Sequence, residues 1–275
     1  MFEKFSRSWG LVKASATVLR SDKELMLFPM ISAIATLLVL VSFAVPVIGW
    51  RVFENGFGAS GVVWGFLFYF CQYTVIIFFN SALVGAAMIR LDGGDPSLRD
   101  GFNIAKDRIV PILGYAAIAA TVGIALKWLK DQDNVLVRLI GSGAGVAWTL
   151  ATFMVVPVLV SHDVGPVVAL KKSASLLKRT WGENAIGTVG IGMVFGLASF
   201  GVILLGGLLA FVAFQLSIWL GGVVVVLAIL ALMALGVVQA ALSGVYSAAL
   251  YQFATHGETP VGFEALNLES AFAPK

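Results

Sequence analysis

The sequence is poor in charged residues, in histidine and in cysteine. Only 12% of its 275 residues are Asp, Glu, Lys or Arg, whereas a soluble domain carries about 25%. Because 59% of the residues are hydrophobic, so little charge excludes an ordinary soluble domain and predicts a membrane protein. The charges lie outside long apolar runs, which are Leu25–Trp50, Asn55–Ile89, Ile109–Leu126, Leu139–His162 and Asn184–Gly257.

Two histidines and one cysteine leave little material for catalysis or metal binding. His162 and His256 lie at the ends of different runs, and no Cys, His and carboxylate cluster has the spacing of a metal site. Cys71 has no second cysteine to pair with, and its apolar surroundings are typical of a small buried hydrophobe. The runs also lack a charged residue that could carry a proton or couple an ion. The sequence therefore predicts no cofactor, no metal and no enzymatic activity.

Six membrane spans fit the apolar runs. They are about Leu25–Trp50, Val62–Ile89, Ile109–Trp128, Leu139–Val160, Ala185–Phe211 and Val223–Tyr251. The last run could hold three tight crossings, but two crossings with a turn near Gln215–Gly222 repeat the order of the earlier spans. The charged N-terminal arm lacks the short apolar core and cleavage site of a signal peptide, so the first run is expected to remain as a span.

The basic residues are distributed unequally between the two ends of the spans. Fourteen of the 18 lie in the N-terminal arm, in the connections after the second and fourth spans, and at Lys275. The positive-inside rule places this richer side in the cytoplasm, together with both termini. Basic residues beside spans fit anionic lipid headgroups, so the expected partner is an anionic bilayer and nucleic acid is not expected.

Three basic segments have the pattern of an amphipathic helix that precedes a pair of spans. The first lies in the N-terminal arm, where Ser21 and Glu24 have the form of a capping box that starts the next helix. The second begins after Asp95, a good N-cap, with Pro96 in the first turn. The chain thus predicts a single membrane domain, residues 1–255, of three helix–span–span units, about 1–90, 91–161 and 162–255, and a cytoplasmic tail, 256–275.

The third amphipathic segment, "GPVVALKKSASLLKRTWGEN", is expected to start at Pro166 and to stop at Gly182. An apolar stripe for the headgroup boundary is formed by Val167, Leu170, Ala174, Leu177 and Trp181. The basic residues mostly face away from that stripe. Those expected to bind lipid headgroups, here and in the N-terminal arm, are Lys171, Lys172, Lys178, Arg179, Arg7 and Lys13.

Polar residues inside the spans indicate the interior of the bundle, because each costs free energy in lipid unless it finds a partner or water. An inward-facing polar seam is predicted from Asn80, Ser81, Thr149, Thr152, Gln239, Ser243 and Tyr246. Two interpretations of the seam stay open: hydrogen bonds that hold the bundle together, and a substrate path. Pro157 leaves the Phe153 carbonyl unpaired and is expected to kink the fourth span.

Three stretches resemble a family of bacterial and archaeal multi-span membrane proteins of unknown function. They are "FFNSALVGAAMIRLDGGDPSLRDGFNIAKDRI", "AWTLATFMVVPVLV" and "GPVVALKKSASLLKRTWGENAIGTVGIGMVFG". This resemblance extends from about Phe2 to Tyr251 and implies a bacterial or archaeal cytoplasmic membrane, but no activity. The segment from Trp9 to Pro29 is more loosely similar to sulfate-permease-like proteins and to the membrane domain of some glycerophosphodiesterases.

Three functions are compatible with these features. The basic amphipathic helices favour a non-enzymatic membrane scaffold or lipid-associated bundle. The alternative is a passive channel or uncoupled small-solute transporter, which the polar seam and the Pro157 kink would serve. A third reading, an auxiliary subunit of another membrane assembly, is neither supported nor excluded, so the protein partner could be a second copy or another membrane protein.

Overall fold

The chain folds as an all-α bundle in the computed structural model, which describes residues 13–49, 59–179, 181–257 and 263. Within these residues every regular element is a helix. Six candidate spans are long and apolar enough to cross a membrane. A helix pairs its backbone groups internally, as hydrocarbon demands. The predicted fold class, an all-α membrane protein with about six spans, is confirmed.

Short connections join the helices along the chain. Residues 13–21 form α1, and a 3-10 turn at Lys23–Met26 leads into α2 (Leu27–Gly49). The remaining helices are α3 (Ala59–Leu91), α4 (Leu98–Asp107), α5 (Ile109–Lys130), α6 (Val135–Thr152), α7 (Val155–Ser161), α8 (Pro166–Arg179), α9 (Trp181–Leu216) and α10 (Ile218–His256). The division of this order into three helix–span–span units, and their threefold symmetry, stay predictions.

The span boundaries agree with the sequence to within several residues. The candidate spans are Lys23–Val47, Gly61–Leu91, Ile109–Lys130, Val135–Ser161, Ile191–Leu216 and Ile218–His256. The last apolar run contains two helices, and α10 is capped by Ser217, which lies inside the predicted turn. After residue 184 the described part of the chain thus holds two candidate spans, as the preferred prediction has it, rather than three.

Three predicted helix ends are wrong. Ser97, not Asp95, caps α4, because its side chain and that of Asp100 form a reciprocal capping box. The turn before α2 is capped by Asp22, whose carboxylate accepts the Glu24 N–H, rather than by a Ser21 capping box. Helix α8 ends at Arg179 and α9 begins two residues later, so Gly182 lies inside α9 and stops neither helix.

Helix α3 lies at the centre of the bundle and contacts α2, α4, α5, α7 and α10. Its buried face contains small residues such as Ala82 and Ala86, which let neighbours approach closely. Gly101 of α4 lies against it: a Cβ there would meet the Phe28 ring and would lie 2.7 Å from the Ala82 carbonyl oxygen. Phe263, from the predicted C-terminal tail, is also in the core at 1% exposure.

Helices α9 and α10 form a long hairpin with two different parts. The C-terminal part of α10, from Ala241 to Gln252, is buried in the bundle. Its N-terminal part packs mainly on α9 and exposes apolar side chains such as Trp219, at 83% exposure. Such a surface suits lipid rather than water. The hairpin is thus anchored to the bundle at one end only, near His256.

Candidate functional site at the basic end of the bundle

One end of the bundle gathers the short helices and most of the polar contacts. Glu24 accepts a hydrogen bond from the Leu98 N–H at 3.1 Å, and α8 contacts α5, α6 and α7. We call this end the basic end, and it comprises residues 13–28, 88–109, 161–176 and 248–257.

Helix α8 is docked on the bundle by a face of small residues. Ala169, Ser173 and Leu176 are buried on that face. Their spacing of four and three places them on one side of the helix. On the opposite side, Val167 is 52% exposed and Lys171 is exposed. The outer face therefore combines part of the predicted apolar stripe with part of the basic face.

A single hydroxyl holds α8 against a break in the fourth span. Helix α6 ends at Thr152 and α7 begins at Val155, as expected from the missing N–H of Pro157. Ser173 donates to the Ala151 carbonyl oxygen at 2.7 Å and accepts from the Met154 N–H at 3.1 Å. The break releases these two backbone groups, and Ser173 satisfies both. The predicted Pro157 kink is confirmed, and it is also the docking point of α8.

Four side chains from three helices meet beside this docking point. We call Ser161, His162, Lys172 and Tyr251 the His162 cluster. The Lys172 ammonium lies 2.6 Å from His162 Nε2, and the Tyr251 hydroxyl lies 3.0 Å from His162 Nδ1. Ser161, beside the Tyr251 hydroxyl, donates to the Met88 sulfur at 3.4 Å. The cluster links the end of α7 to α8 and to the buried part of α10.

The chemistry of the donors determines how the protons are arranged in the cluster. An ammonium group can only donate, so His162 Nε2 must accept from Lys172. The neutral ring then carries its proton on Nδ1 and donates to the Tyr251 oxygen. The Tyr251 oxygen therefore accepts from His162, and the Tyr251 proton points away from the ring. The arrangement requires a neutral imidazole.

The surroundings of His162 favour that neutral form. Burial, followed by the positive charges of Lys172 and Arg108, holds the pKa of His162 below its ordinary value. Asp163 is the nearest carboxylate in sequence, but it forms an ion pair with Arg108. The charged form of His162 therefore has cations around it and no carboxylate of its own.

A second set of contacts closes α10 onto α3 beside the His162 cluster. The Gln252 amide donates to the Met88 carbonyl oxygen at 3.3 Å and to an Asp92 oxygen at 2.9 Å. Arg90 donates to the Gly94 carbonyl oxygen at 3.2 Å. These bonds fix the connection between α3 and α4 against the buried end of α10.

The comparisons with known proteins identify the family. A family described as a family of unknown function, DUF6159, matches residues 59–262, which is more than half of the chain. The chain belongs to the DUF6159 family. The DUF6159 match starts at α3 and includes α8, the His162 cluster and the whole α9–α10 hairpin. No curated protein and no solved structure matches the chain.

The DUF6159 match confirms the resemblance to a multi-span family of unknown function. It begins well after Phe2, where the sequence resemblance was placed, and continues past Tyr251. The weaker likenesses to sulfate-permease-like proteins and to glycerophosphodiesterase membrane domains stay predictions, and they concern Trp9–Pro29, which precedes the DUF6159 match.

The residues predicted to bind headgroups have different environments in this DUF6159 member. Lys171 and Lys13 are exposed at the basic end. Lys172 departs from the prediction, because its ammonium contacts His162. Arg7 and the side chains of Lys178 and Arg179 lie outside the described part of the structure.

The structure divides the predicted polar seam. A Cβ on Gly244 would lie 3.4 Å from the Asn80 amide oxygen, so Asn80 faces α10 at Gly244, the residue that follows Ser243. Ser81 is fully buried on α3. Tyr246 is buried with its ring 6.0 Å from that of Phe153. These seam residues lie where α3, α7 and α10 pack together.

The other seam residues lie apart from that contact or only partly inside. Thr152 is half-buried, and its hydroxyl donates to the Trp148 carbonyl oxygen of its own helix at 2.8 Å. Gln239 is half-buried on α10. Thr149 departs from the predicted seam, because it is exposed and its hydroxyl donates to the Gly145 carbonyl oxygen of its own helix at 2.9 Å. That bond lets a threonine face lipid.

Sequence reasoning missed Ser173 as a docking residue and His162 as a contact of Lys172. An available signal for Ser173 was its spacing of four from Ala169, which gives α8 a small face besides its apolar stripe. No comparable signal exists for His162, since its partners lie 10 and 89 residues away. Among the described residues, no group of three His, Cys, Asp or Glu side chains could hold a metal ion.

Proposed function

We propose that this DUF6159 member is a non-enzymatic membrane scaffold that holds α8 against anionic lipid headgroups on the cytoplasmic side. The observation that carries the proposal is the docking of α8 through Ser173, which leaves Val167 and Lys171 on the outer face. An amphipathic helix of this kind binds a membrane surface through buried apolar area and attraction to anionic lipids. Because α8 is fixed to the spans, its basic residues have a fixed place at that surface.

Lipid retention in mixed membranes tests the proposal. The full-length protein is placed in nanodiscs of phosphatidylcholine and phosphatidylglycerol, and native mass spectrometry counts the retained lipids. The variant Lys171→Gln, Lys178→Gln, Arg179→Gln should retain less phosphatidylglycerol, since each basic residue near an anionic surface contributes about 1 kcal/mol. A matched control changes three basic residues of the opposite end, Lys127, Lys130 and Arg138, to Gln. Equal retention in wild type and both variants would contradict the scaffold.

A passive channel is the second candidate, and the buried polar contact between α3 and α10 favours it. Ser81 is fully buried at this contact, and its hydroxyl has no hydrogen-bond partner among the described residues, so hydrogen bonding within the bundle does not account for it. Flux of small solutes from proteoliposomes tests this candidate. If the protein is a channel, proteoliposomes that contain it should show solute flux, and Ser81→Ala should lower that flux. If the protein causes no flux, the channel is contradicted and the scaffold remains the proposal.

A further inference from the structure

The contact between Lys172 and His162 is a bond that one proton can break. His162 Nε2 is the acceptor for the Lys172 ammonium at 2.6 Å. If Nε2 gains a proton, both groups become donors with positive charge, and nothing remains to hold them together. We infer that protonation of His162 releases the Lys172 side chain to anionic headgroups, so that mild acid strengthens lipid binding at α8; this inference rests on the proposed function.

The charged and titratable groups around His162 agree with this direction. Arg108, at the N-cap of α5, has Asp163 as its partner. From α8 comes Lys172, and from α10 comes Tyr251. Asp92, directly after α3, bonds Gln252 instead of His162. A protonated His162 would thus sit against Lys172 without a carboxylate that compensates its charge.

Lys172 has a short path from His162 to the outer face of α8. It is half-buried at the edge of the docked face, and its neighbour Lys171 is exposed. The lysine stem is flexible, so the ammonium can swing outward without movement of the backbone. The outer face would then present one more basic group beside Val167.

The sign of the pH dependence follows from the low pKa of His162, which burial and then Lys172 and Arg108 cause. Above its ordinary value of 6.5 the ring is neutral in both the folded and the unfolded chain, so the contact with Lys172 is kept. As the pH falls below 6.5, the unfolded chain binds the proton first, and the contribution of the cluster to stability decreases. The contact is lost once the pH passes the lowered pKa of the folded chain.

Lipid retention at two pH values tests the inference in the full-length protein. Nanodiscs of phosphatidylcholine and phosphatidylglycerol are compared at about pH 7.5 and about pH 5.5, on either side of the histidine range. Wild type should bind phosphatidylglycerol about fivefold more strongly at the lower pH, as expected for one added basic side chain. The variants His162→Gln, which still accepts from Lys172 but does not titrate, and Lys172→Gln should lack this increase.

The second histidine gives a matched control. His256→Gln removes the only other imidazole and should keep the acid-induced increase. A wild type without the increase, or an increase that survives in His162→Gln, would overturn the inference. The result that would contradict the scaffold is different. In that case the variant Lys171→Gln, Lys178→Gln, Arg179→Gln would retain as much phosphatidylglycerol as wild type at both pH values.

Nitrogen NMR of His162 in the His256→Gln protein supplies a readout that does not depend on lipid binding. The geometry requires the Nδ1–H form at neutral pH, and it requires Lys172→Gln to raise the pKa of His162. An Nε2–H form at neutral pH would overturn the inference even if lipid retention changed with pH.

Discussion

Ser173 attaches α8 to the fourth span because it satisfies two backbone groups that the break between α6 and α7 leaves without a helical partner. Its hydroxyl bonds Ala151 and Met154 in a site where Ser173 is 1% exposed. A buried polar group without a partner costs about 1–3 kcal/mol. Loss of the Ser173 hydroxyl should therefore lower the free energy of unfolding by more than the strength of the same hydrogen bonds in water would indicate.

The variant Ser173→Ala should destabilise the protein by about 1–3 kcal/mol, because the Met154 N–H and the Ala151 carbonyl lose their partner. Ser175→Ala is the matched control, since Ser175 is exposed and donates only to the Lys172 carbonyl of its own helix. Unfolding in detergent mixtures measures both. If the two variants were equally stable, Ser173 would not be the docking contact.

The break at Pro157 could be predicted from one residue, because proline acts on its own helix through its missing N–H. The part of Ser173 could not be predicted in the same way. Its two bonds join residues that are 19 and 22 positions away, and a stripe defined by apolar residues omits a serine. The spacing of residues in the sequence shows which side chains share a face of a helix. It does not show which face packs against the rest of the protein.

Helices α4 and α8 differ from independent interfacial helices, because each is packed on the spans. Phe102 of α4 packs on Phe28, with ring centroids 5.4 Å apart, and Gly101 lies against Ala82. Their existence and approximate extent were predictable from periodicity and basic residues. The starting residue of α4 was predicted wrongly although the sequence contains the deciding signal, because Asp95 and Ser97 both suit a cap and only Ser97 has a partner, Asp100, three residues on.

The variant Gly101→Ala should weaken the docking of α4, since its Cβ would meet the Phe28 ring and the Ala82 carbonyl oxygen. Overpacking of this kind costs about 1–3 kcal/mol. Gly192→Ala is the control, because a Cβ at Gly192 of α9 meets nothing within 4 Å and gains the same helix propensity. Thermal unfolding in nanodiscs should show a lower Tm for Gly101→Ala only; equal Tm values would contradict this packing.

At the scale of the whole molecule, the order of spans was predictable because charge is absent from the apolar runs. The turn at Ser217 was also predictable, from the length of the last run. The unequal packing of the α9–α10 hairpin was not predictable. Because α9 and α10 are both apolar on all sides, the sequence does not show that Ala241–Gln252 is the part of α10 that enters the core. Apolar side chains suit a helix surface that faces lipid and a helix surface that packs on protein, so hydrophobicity does not distinguish the two surfaces.

The proposed orientation predicts which connections can be labelled from outside the cell. In a Cys71→Ala background, Asp133→Cys between α5 and α6 should react with a membrane-impermeant maleimide on intact cells. Asn103→Cys on α4 should react only after the cells are opened. Both positions are exposed in the protein. The reverse pattern would place the basic end outside and contradict the positive-inside assignment.

The account depends most on α8 lying at the membrane surface with one face docked and the other in lipid headgroups. Spin labels at single cysteines along 166–176, in the Cys71→Ala protein and in nanodiscs, measure this directly. Labels at Val167 and Ala174 should collide with oxygen, labels at Lys171 and Ser175 with a water-soluble nickel complex, and labels at Ala169 with neither. Access of the nickel complex to all five positions would show a helix surrounded by water and would contradict the account.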